Sequence, residues 1–338
     1  MRDTLERFVV AAVAAGRSPL LPATLAVILA TQVSEGAVVK VNPTASGPYP
    51  SVTAVATDPR APGTVYVSSV STTADWIFTL SKSTDGGRTW ASADSGLPHA
   101  SGQALLSLAV GGGAVYAGFT GAGVWKSVDG GASWSQTGKG NPTDPGNPGI
   151  AEVIAVDPSV PTTLYAGNWG LFKSTDGGSN WRNVLNADGQ IWSVAVDPKS
   201  PGTVFAAGTG VYKSTDAGGT WAPVGNGLGG FAVASIAIDP NATSTLYAGT
   251  WQDGLFKSTD GGASWRLIDT KQPNPQMRTV LVDARSVVYV GVYFFGVLAS
   301  TDGGVTWANA NPALDGEWIW SFALAPGETG DVYAATVR

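Results

Sequence analysis

The segment Lys173-Ser-Thr-Asp-Gly-Gly-Ser-Asn-Trp181 decides the fold, because the pattern Ser-x-Asp-x-Gly-x-x-Trp within it recurs along the chain. We call this eight-residue pattern the box, and its copies are Ser83–Trp90, Ser127–Trp134, Ser174–Trp181, Ser214–Trp221, Ser258–Trp265 and Ser300–Trp307. Successive box serines are 44, 47, 40, 44 and 42 residues apart. A repeat of this length, rich in β-branched and turn residues, is typical of a four-stranded propeller blade.

Each repeat also carries two apolar segments before the strand that leads into the box. In the third repeat these are Ile154-Ala-Val-Asp157-Pro158 and Thr163-Leu-Tyr165-Ala-Gly167, and Leu171-Phe-Lys-Ser174 leads into the box. The order predicts strand A, an Asp-Pro turn, strand B, a loop, strand C, the box and strand D. Proline directly after Asp suits a turn and cannot lie in a central strand.

Both ends of the repeat region predict how the ring closes. After the sixth box, Ile319–Leu324 and Asp331–Ala335 supply a further strand A and strand B, whereas Ala37–Val41 lies where a strand D would precede the first repeat. We therefore predict an all-β chain forming a single seven-bladed β-propeller, with both ends sharing a three-stranded blade. A shared blade removes open sheet edges. Six blades is the alternative.

The aspartates and lysines of the repeat look like a charged array but are predicted to be structural. A box carboxylate can accept N–H hydrogen bonds within its own turn, and the glycine at the fifth box position suits a positive φ. The box aspartates are Asp85, Asp129, Asp176, Asp216, Asp260 and Asp302. The lysines directly before the boxes are expected on blade surfaces, and these are Lys82, Lys126, Lys173, Lys213 and Lys257.

Composition excludes several classes of site within this sequence. The 338 residues include no Cys and one His, His99, which excludes disulfides, thiolate metal sites, Cys nucleophiles and zinc sites with two imidazoles. The net charge is −6 and no block of basic residues occurs, so nucleic-acid binding is not expected. We predict no cofactor and no metal.

Residues 1–36 differ from the rest of the chain. Two apolar runs, Phe8–Ala15 and Leu20–Thr31, flank Arg17, and small residues follow. This order predicts a secretory signal, with an uncleaved anchor or a wrongly assigned start as alternatives. The propeller then comprises residues 37–338, with no membrane span in the mature chain, and is expected to be secreted, periplasmic or on the cell surface.

The six boxes at this period resemble the BNR, or Asp-box, repeat superfamily, and the resemblance covers about residues 50–338. Members include sialidases, xyloglucan-cleaving glycoside hydrolases, sortilin-type receptor domains and photosystem II assembly factors. The resemblance therefore implies a propeller without implying one function. In that superfamily the boxes lie away from the active site, which agrees with a structural role for them.

The resemblance also provides two tests of enzyme activity. Sialidases use an arginine triad and a Tyr-Glu pair, whereas this chain offers Arg60 before Ala-Pro in an A–B turn and no Tyr-Glu pair. Xyloglucanase-type enzymes pair two propellers, with one catalytic carboxylate on each side of a cleft, and this chain has one propeller. Both points argue against hydrolysis, which stays an alternative.

A ligand site is predicted on the face formed by the B–C and D–A loops. Aligning the starts of the A strands places seven residues at one level around the channel mouth: Thr53, Leu106, Glu152, Trp192, Ala234, Arg278 and Trp320. The ligand-binding residues predicted from these positions and from the B–C loops are Trp76, Trp169, Trp192, Trp251, Arg278 and Trp320. Aromatic faces that stack on sugar rings, with a few polar groups, suit a glycan site. Alternatively, the aromatics plug the channel and Glu152–Arg278 is a structural ion pair.

Two functions follow from this site. The first is an exported, non-catalytic binding or scaffold module for a polysaccharide or protein ligand, and the alternative is a glycoside hydrolase. A third, an assembly chaperone like those of photosystem II, cannot be judged from the sequence, and the oligomeric state is left open. Hydrolysis needs two carboxyls about 5–9.5 Å apart, for which Glu152, Asp75 and Asp253 are weak candidates. Such a pair across the mouth would favour the enzyme, and aromatics without it would favour the binding module.

Overall fold

The computed structural model describes residues 37–41, 51–70, 78–99, 103–140, 151–187, 189–273, 276–326 and 330–337. The predicted leader, Asp75 and Trp76 lie outside these residues. The described residues form seven β-sheets and one short 3-10 helix, Pro312–Leu314, which confirms the predicted all-β, seven-bladed propeller. No helix among them is long and apolar enough to cross a membrane.

The strands follow the predicted A-B-C-D order in each blade. Those up to the end of the third blade are β1 Val38–Val41, β2 Ser51–Thr57, β3 Val65–Val70, β4 Phe78–Ser83, β5 Ala91–Ser92, β6 Leu105–Gly111, β7 Ala114–Phe119, β8 Gly123–Ser127, β9 Ser135–Gln136, β10 Val153–Val156, β11 Leu164–Gly167, β12 Leu171–Ser174 and β13 Arg182–Leu185. The remaining strands are β14 Ile191–Val196, β15 Val204–Gly208, β16 Val211–Ser214, β17 Ala222–Val224, β18 Val233–Ile238, β19 Leu246–Thr250, β20 Leu255–Ser258, β21 Arg266–Ile268, β22 Met277–Val282, β23 Val288–Val292, β24 Gly296–Ser300, β25 Ala308–Asn309, β26 Trp318–Leu324 and β27 Val332–Val337.

Six blades are four-stranded antiparallel sheets, and their A strands are β2, β6, β10, β14, β18 and β22. Each A strand contacts the A strands of both neighbouring blades, including β26 of the seventh blade, so the A strands surround a central channel. The apolar core lies between the blades. Each blade places one large aromatic of strand B there, such as Tyr165, which is fully buried between the third and fourth blades.

The seventh blade differs from the prediction in the position of its outer strand. Its order is β26-β27-β1, so β1 pairs directly with strand B, with Val38 opposite Val332. The pairing is parallel. In an antiparallel blade, strand D runs in the same direction as strand B. Because this blade has no strand C, β1 keeps the direction of a strand D but occupies the position of strand C.

The box forms a closed hydrogen-bonded turn. In the third copy, the Ser174 hydroxyl donates to Asp176 Oδ1 (2.8 Å) and accepts from the Gly178 backbone N–H (2.9 Å). Asn180 donates to the same carboxylate through its backbone N–H (2.8 Å) and its side-chain amide (2.7 Å). These bonds, led by the one from the Asn180 side chain, lower the pKa of Asp176 to about 2. Gly178 has a φ of +91°, a backbone conformation that residues other than glycine rarely adopt.

The lysines before the boxes join neighbouring blades, so the expectation that they cover blade surfaces is wrong. Lys173 is only 8% exposed, and its ammonium donates to the carbonyl of Ala217 in the box of the next blade (2.5 Å). The ammonium also lies 5.5 Å from the centre of the Tyr165 ring. The same contact recurs between successive blades, with Lys82 donating to Gly130 (3.0 Å) and Lys213 to Gly261 (2.8 Å).

Candidate ligand-binding site

A β-bulge near the start of strand A aims one side chain into the channel. The pairing of strands A and B shifts register around one residue in six blades, for example between Met277 and Thr279 in β22. The residues at these shifts are Thr53, Leu106, Trp192, Ala234, Arg278 and Trp320. A bulge of this kind redirects a side chain. In the third blade, Glu152 holds the equivalent place directly before β10, and its N–H donates to the carbonyl of Gly167 (3.0 Å).

Small residues on strand B allow the A strands to lie this close together. Gly249, in β19, faces β22 of the next blade, and a Cβ placed on it would lie 2.4 Å from the carbonyl oxygen of Met277. Gly118 meets the carbonyl of Ala151 in the same way, at 2.5 Å. Glycine in a strand is thus explained here by the close approach of a neighbouring backbone. These contacts fix the position of the bulge residues around the channel.

All seven residues that the sequence places at one level line a single cavity. Its volume is about 670 Å³, and Gln190 and Trp251 also contribute to its wall. Three of the seven side chains at this level are small or aliphatic, and these are Thr53, Leu106 and Ala234. Blades three, four, six and seven supply the larger side chains, which are Glu152, Trp192, Arg278 and Trp320. The cavity is therefore asymmetric, and its two charged side chains, Glu152 and Arg278, come from blades three and six on different sides of the channel.

Arg278 lies between two indole rings of the cavity wall. Its guanidinium carbon is 3.3 Å from the ring centre of Trp320 and 4.5 Å from that of Trp251. Burial lowers the pKa of Arg278 to about 10, and the charge of Glu152 opposes this shift. The side chain is half-buried and donates no hydrogen bond to any residue that the structure describes. Cation–π contacts therefore hold the guanidinium while its N–H donors stay available.

Glu152 is held by a neutral donor rather than by a direct ion pair. Gln190 Nε2 donates to its Oε1 (3.4 Å), and the Trp192 indole lies on the same cavity wall. Burial raises the pKa of Glu152, whereas the charge of Arg278 and the Trp192 side chain lower it. Among the ion pairs of the described residues, none joins Glu152 to Arg278. The two charges act on each other across the cavity without closing it.

The aromatic side chains continue from the cavity to the exposed edge of the sixth blade. Their ring centres are 6.0 Å apart for Trp192 and Trp251, 6.5 Å for Trp320 and Trp318, and 4.1 Å for Trp318 and Tyr293. Phe294 contacts Tyr293 at 4.4 Å and is 60% exposed. Together with Arg278, which bridges Trp251 and Trp320, these six rings form what we call the aromatic path: Trp192, Trp251, Trp320, Trp318, Tyr293 and Phe294.

Other predicted site residues lie elsewhere. Trp169 is 55% exposed in the B–C loop of the third blade and does not line the cavity. Asp253 lies in the turn after β19, where its N–H donates to Thr250 Oγ1 (2.9 Å), and it does not line the cavity either. Asp75 and Trp76 lie outside the described residues. Glu152 is the one carboxylate among the described residues that line the cavity.

The predicted ligand-binding residues did not include Trp318 or Tyr293. The signals were the run Tyr293-Phe-Phe295 in a B–C loop and the pair Trp318-Ile-Trp320, in which two indoles two residues apart share one face of a strand. No group of three or more His, Cys, Asp or Glu side chains in the described part of the chain is arranged to hold a metal ion.

Comparison with known proteins found relatives by structure and not by sequence. No protein-family model matches the chain, and no curated protein matches it. The GH74 xyloglucanase from Xanthomonas campestris is 21% identical with a TM-score of 0.61, over 77% of this chain and 47% of that enzyme, so the chain spans about half the length of the xyloglucanase.

Two further structures match over nearly their whole length. YCF48 bound to a D1 peptide is 19% identical with a TM-score of 0.66, over 90% of this chain and 97% of that protein. YCF48 from Cyanidioschyzon merolae is 16% identical with a TM-score of 0.64, over 86% and 94%. At these identities the likeness shows the fold alone. The chain is thus a seven-bladed β-propeller of the architecture that the xyloglucanase and YCF48 share.

Proposed function

We propose that this protein is a non-catalytic binding module that acts outside the cytoplasm and holds a polysaccharide at the mouth of its channel. The observation that carries the proposal is the aromatic path, which leads from the exposed Phe294 into the cavity at Trp320, Trp251 and Trp192. Aromatic rings in a cavity wall provide apolar contact surface for sugar rings, beside a few polar groups that fix their orientation. One of the structural relatives is a xyloglucanase, and xyloglucan is a polysaccharide, which supports this class of ligand.

The cavity supports binding more than hydrolysis. Glycoside hydrolysis by two carboxyl groups needs them about 5–9.5 Å apart. Glu152 is the one carboxylate among the described residues of the cavity wall, and Asp253 is engaged in a turn outside it. With one carboxyl group, the site can accept hydrogen bonds from hydroxyl groups of a ligand, but the residues described do not supply the acid and its partner together.

Isothermal titration of the purified protein with a panel of neutral and acidic polysaccharides tests this proposal. We expect saturable binding, and we expect Trp251→Ala and Trp320→Ala each to weaken it by about two- to tenfold, because an aromatic contact is worth about 0.5–1.5 kcal/mol beyond area burial. Leu267→Ala is the matched control, since Leu267 is 60% exposed on β21, the outer strand of the blade that carries Trp251. Full affinity in both tryptophan variants would contradict the proposal.

A glycoside hydrolase is the second candidate function, and the environment of Glu152 favours it. A carboxyl group whose pKa is raised by burial is suited to act as a general acid. The same panel is therefore followed for release of reducing ends. Release that disappears in Glu152→Gln would establish an enzyme and overturn the non-catalytic proposal.

A further inference from the structure

Arg278 has hydrogen-bonding capacity that the protein does not use. A guanidinium carries five N–H donors, and the Arg278 guanidinium donates to none of the described residues, although it lines the cavity and is half-buried. A partly buried cation without acceptors is costly, because burial removes water from the charge. Cation–π contacts with Trp251 and Trp320 offset part of this cost, but they use the flat face of the group and leave its edge open.

The chemistry that best satisfies this edge is an anion with two or more acceptor oxygens. Such an anion accepts two parallel N–H bonds from one guanidinium, and charge-assisted bonds are about twice as strong as neutral ones. Glu152 does not fill this role, because no ion pair among the described residues joins it to Arg278 and its Oε1 accepts from Gln190. The open edge of the guanidinium faces the cavity, where a ligand can supply the acceptor.

We propose that the polysaccharide held at the channel mouth is anionic, and that a carboxylate or sulfate group on one of its sugars binds the open edge of Arg278 between Trp251 and Trp320. This inference rests on the proposed function and specifies its ligand. The rings of the aromatic path then receive the sugars on either side of the charged one. Arg278 is a specificity-determining residue, since it separates anionic from neutral polymers.

The net charge of the chain does not favour anionic polymers, so the preference for them depends on the cavity. The chain carries a net charge of −6, so long-range electrostatics repel a polyanion rather than attract it. Affinity for an anionic polymer must then come from the cavity itself. Glu152 repels the incoming anion at close range and lowers its affinity, so removing the charge of Glu152 should strengthen binding to anionic polymers relative to binding to neutral ones.

Matched polymers test the inference. The purified protein is titrated with polygalacturonate and with the same polymer after reduction of its carboxyl groups to alcohols, and in parallel with a sulfated galactan and its desulfated form. We expect one of the charged polymers to bind at least about tenfold more tightly than its neutral partner, because only the charged form offers charge-assisted hydrogen bonds to the guanidinium. The pair that shows the preference identifies the anion as carboxylate or sulfate.

Variants assign the preference to Arg278. Arg278→Gln should abolish it, and Arg278→Lys, which keeps the charge but loses the fork of donors, should reduce it. Glu152→Gln should increase it. The matched control is Arg266→Gln, because Arg266 is exposed on β21, away from the cavity. Circular dichroism and melting temperature show that each variant is folded.

The outcomes separate this inference from the proposed function. Equal affinity for charged and neutral forms of both polymers, or a preference that survives Arg278→Gln in a folded protein, would overturn the inference and leave polysaccharide binding intact. No binding to any polymer would overturn the proposed function and this inference with it.

Discussion

At the scale of single residues, a lysine and a tyrosine from one blade hold the box of the next. Lys82 donates to the carbonyl of Gly130 at 3.0 Å, and the hydroxyl of Tyr66 donates to the same oxygen at 3.2 Å. Where the seventh blade has no box, the contact changes. Arg285 reaches from the A–B turn of the sixth blade to the carbonyl of Gly330 in the seventh, at 3.3 Å. Each of these blades is thus joined to the next by a cation on a backbone carbonyl.

The fourth blade lacks the tyrosine that supports the lysine elsewhere. Its strand B carries Phe205 instead, so Lys213 is the side chain that donates to the carbonyl of Gly261, at 2.8 Å. We expect Lys213→Met to lower the free energy of unfolding by about 1 kcal/mol, because a partly buried carbonyl loses its donor. Lys82→Met is the control and should cost less, since Tyr66 still donates to Gly130. Urea unfolding measures both, and an equal cost would contradict the role assigned to Tyr66.

The box carboxylates predict an acid limit to stability. Hydrogen bonds, led by those from the side chains of Asn180 and Ser264, lower the pKa of Asp176 and of Asp260 to about 2. In the unfolded chain an Asp has a pKa of about 3.9, so as pH falls below about 4 the unfolded state binds protons first. The stabilisation is present above about pH 4 and is lost as pH falls towards about 2.

Urea unfolding at a series of pH values checks this limit. The free energy of unfolding should fall steadily from about pH 4 to about pH 2 in the wild type, and it should fall less steeply in Asp176→Asn, which lacks one of the carboxylates. A free energy that stays constant over that range would show that the box carboxylates are not linked to folding in this way.

At the scale of elements, the channel depends on how closely strand B of one blade approaches strand A of the next. Gly249 in β19 faces the carbonyl of Met277, which directly precedes Arg278 on β22. The glycine and the bulge therefore act together, because the first sets the distance between the strands and the second aims the side chain. A change in the strand contact should reach the ligand site without altering any residue that lines it.

Gly249→Ala tests this coupling. The added Cβ would lie 2.4 Å from the Met277 carbonyl oxygen, so β22 must move, and we expect a loss of about 1–3 kcal/mol in unfolding free energy together with weaker ligand binding. Gly210→Ala is the control, because Gly210 lies in the B–C loop of the fourth blade, where the nearest atom is 3.6 Å from the added Cβ. Unchanged affinity in a destabilised Gly249→Ala protein would show that the site tolerates movement of β22.

The strands could be predicted from the sequence because the residues that form the turns between them recur in the repeats. A box fixes the C–D turn, an Asp-Pro pair fixes the A–B turn, and the strands between them follow from alternation. The seven-residue level around the channel was also accessible, since every strand A starts at the same height. The position of β1 could not be predicted. Val38–Val41 is rich in valine and so favours a strand, but nothing in it indicates that the strand pairs with β27.

The geometry of the site was beyond the sequence for a different reason. Arg278 could be placed at the mouth, but its stacking on Trp251 and Trp320 depends on side-chain conformations that no pattern encodes. Tyr293 and Phe294 occupy a tight turn in which Phe294 has a φ of +55°, a conformation unusual for a non-glycine residue. The seven residues around the channel mouth could therefore be predicted from the sequence, whereas the contacts between the rings of the aromatic path could not.

At the scale of the whole molecule, the ring closes through β1. This strand pairs with β27, and the Val332 N–H donates to the carbonyl of Ala37 (2.9 Å). Lys40, on β1, forms an ion pair with the buried Glu317 (2.5 Å). Asn311 adds a side-chain bond to the carbonyl of Val38 (2.8 Å). These contacts cover the outer edge of a strand that would otherwise present unpaired backbone groups.

Removal of β1 should therefore open the ring. We expect a protein lacking residues 1–41 to melt at a lower temperature and to self-associate through the exposed edge of β27, whereas a protein lacking residues 1–36 should keep the closure and stay like the full chain. Differential scanning calorimetry and sedimentation velocity measure the two effects. Equal melting temperatures for the two truncations would show that β1 does not stabilise the ring.

The parallel pairing of β1 and β27 also determines how the protein responds to tension. In a parallel pair, the first residue of β1 and the last residue of β27 lie at opposite ends of the two paired strands. A force that pulls the two ends of the propeller apart therefore slides the strands along each other. All the backbone bonds between them then share the load, whereas an antiparallel pair pulled from adjacent ends would unzip one bond at a time. The strand that completes the ring is therefore also the one whose hydrogen bonds resist a force applied between the two ends of the propeller.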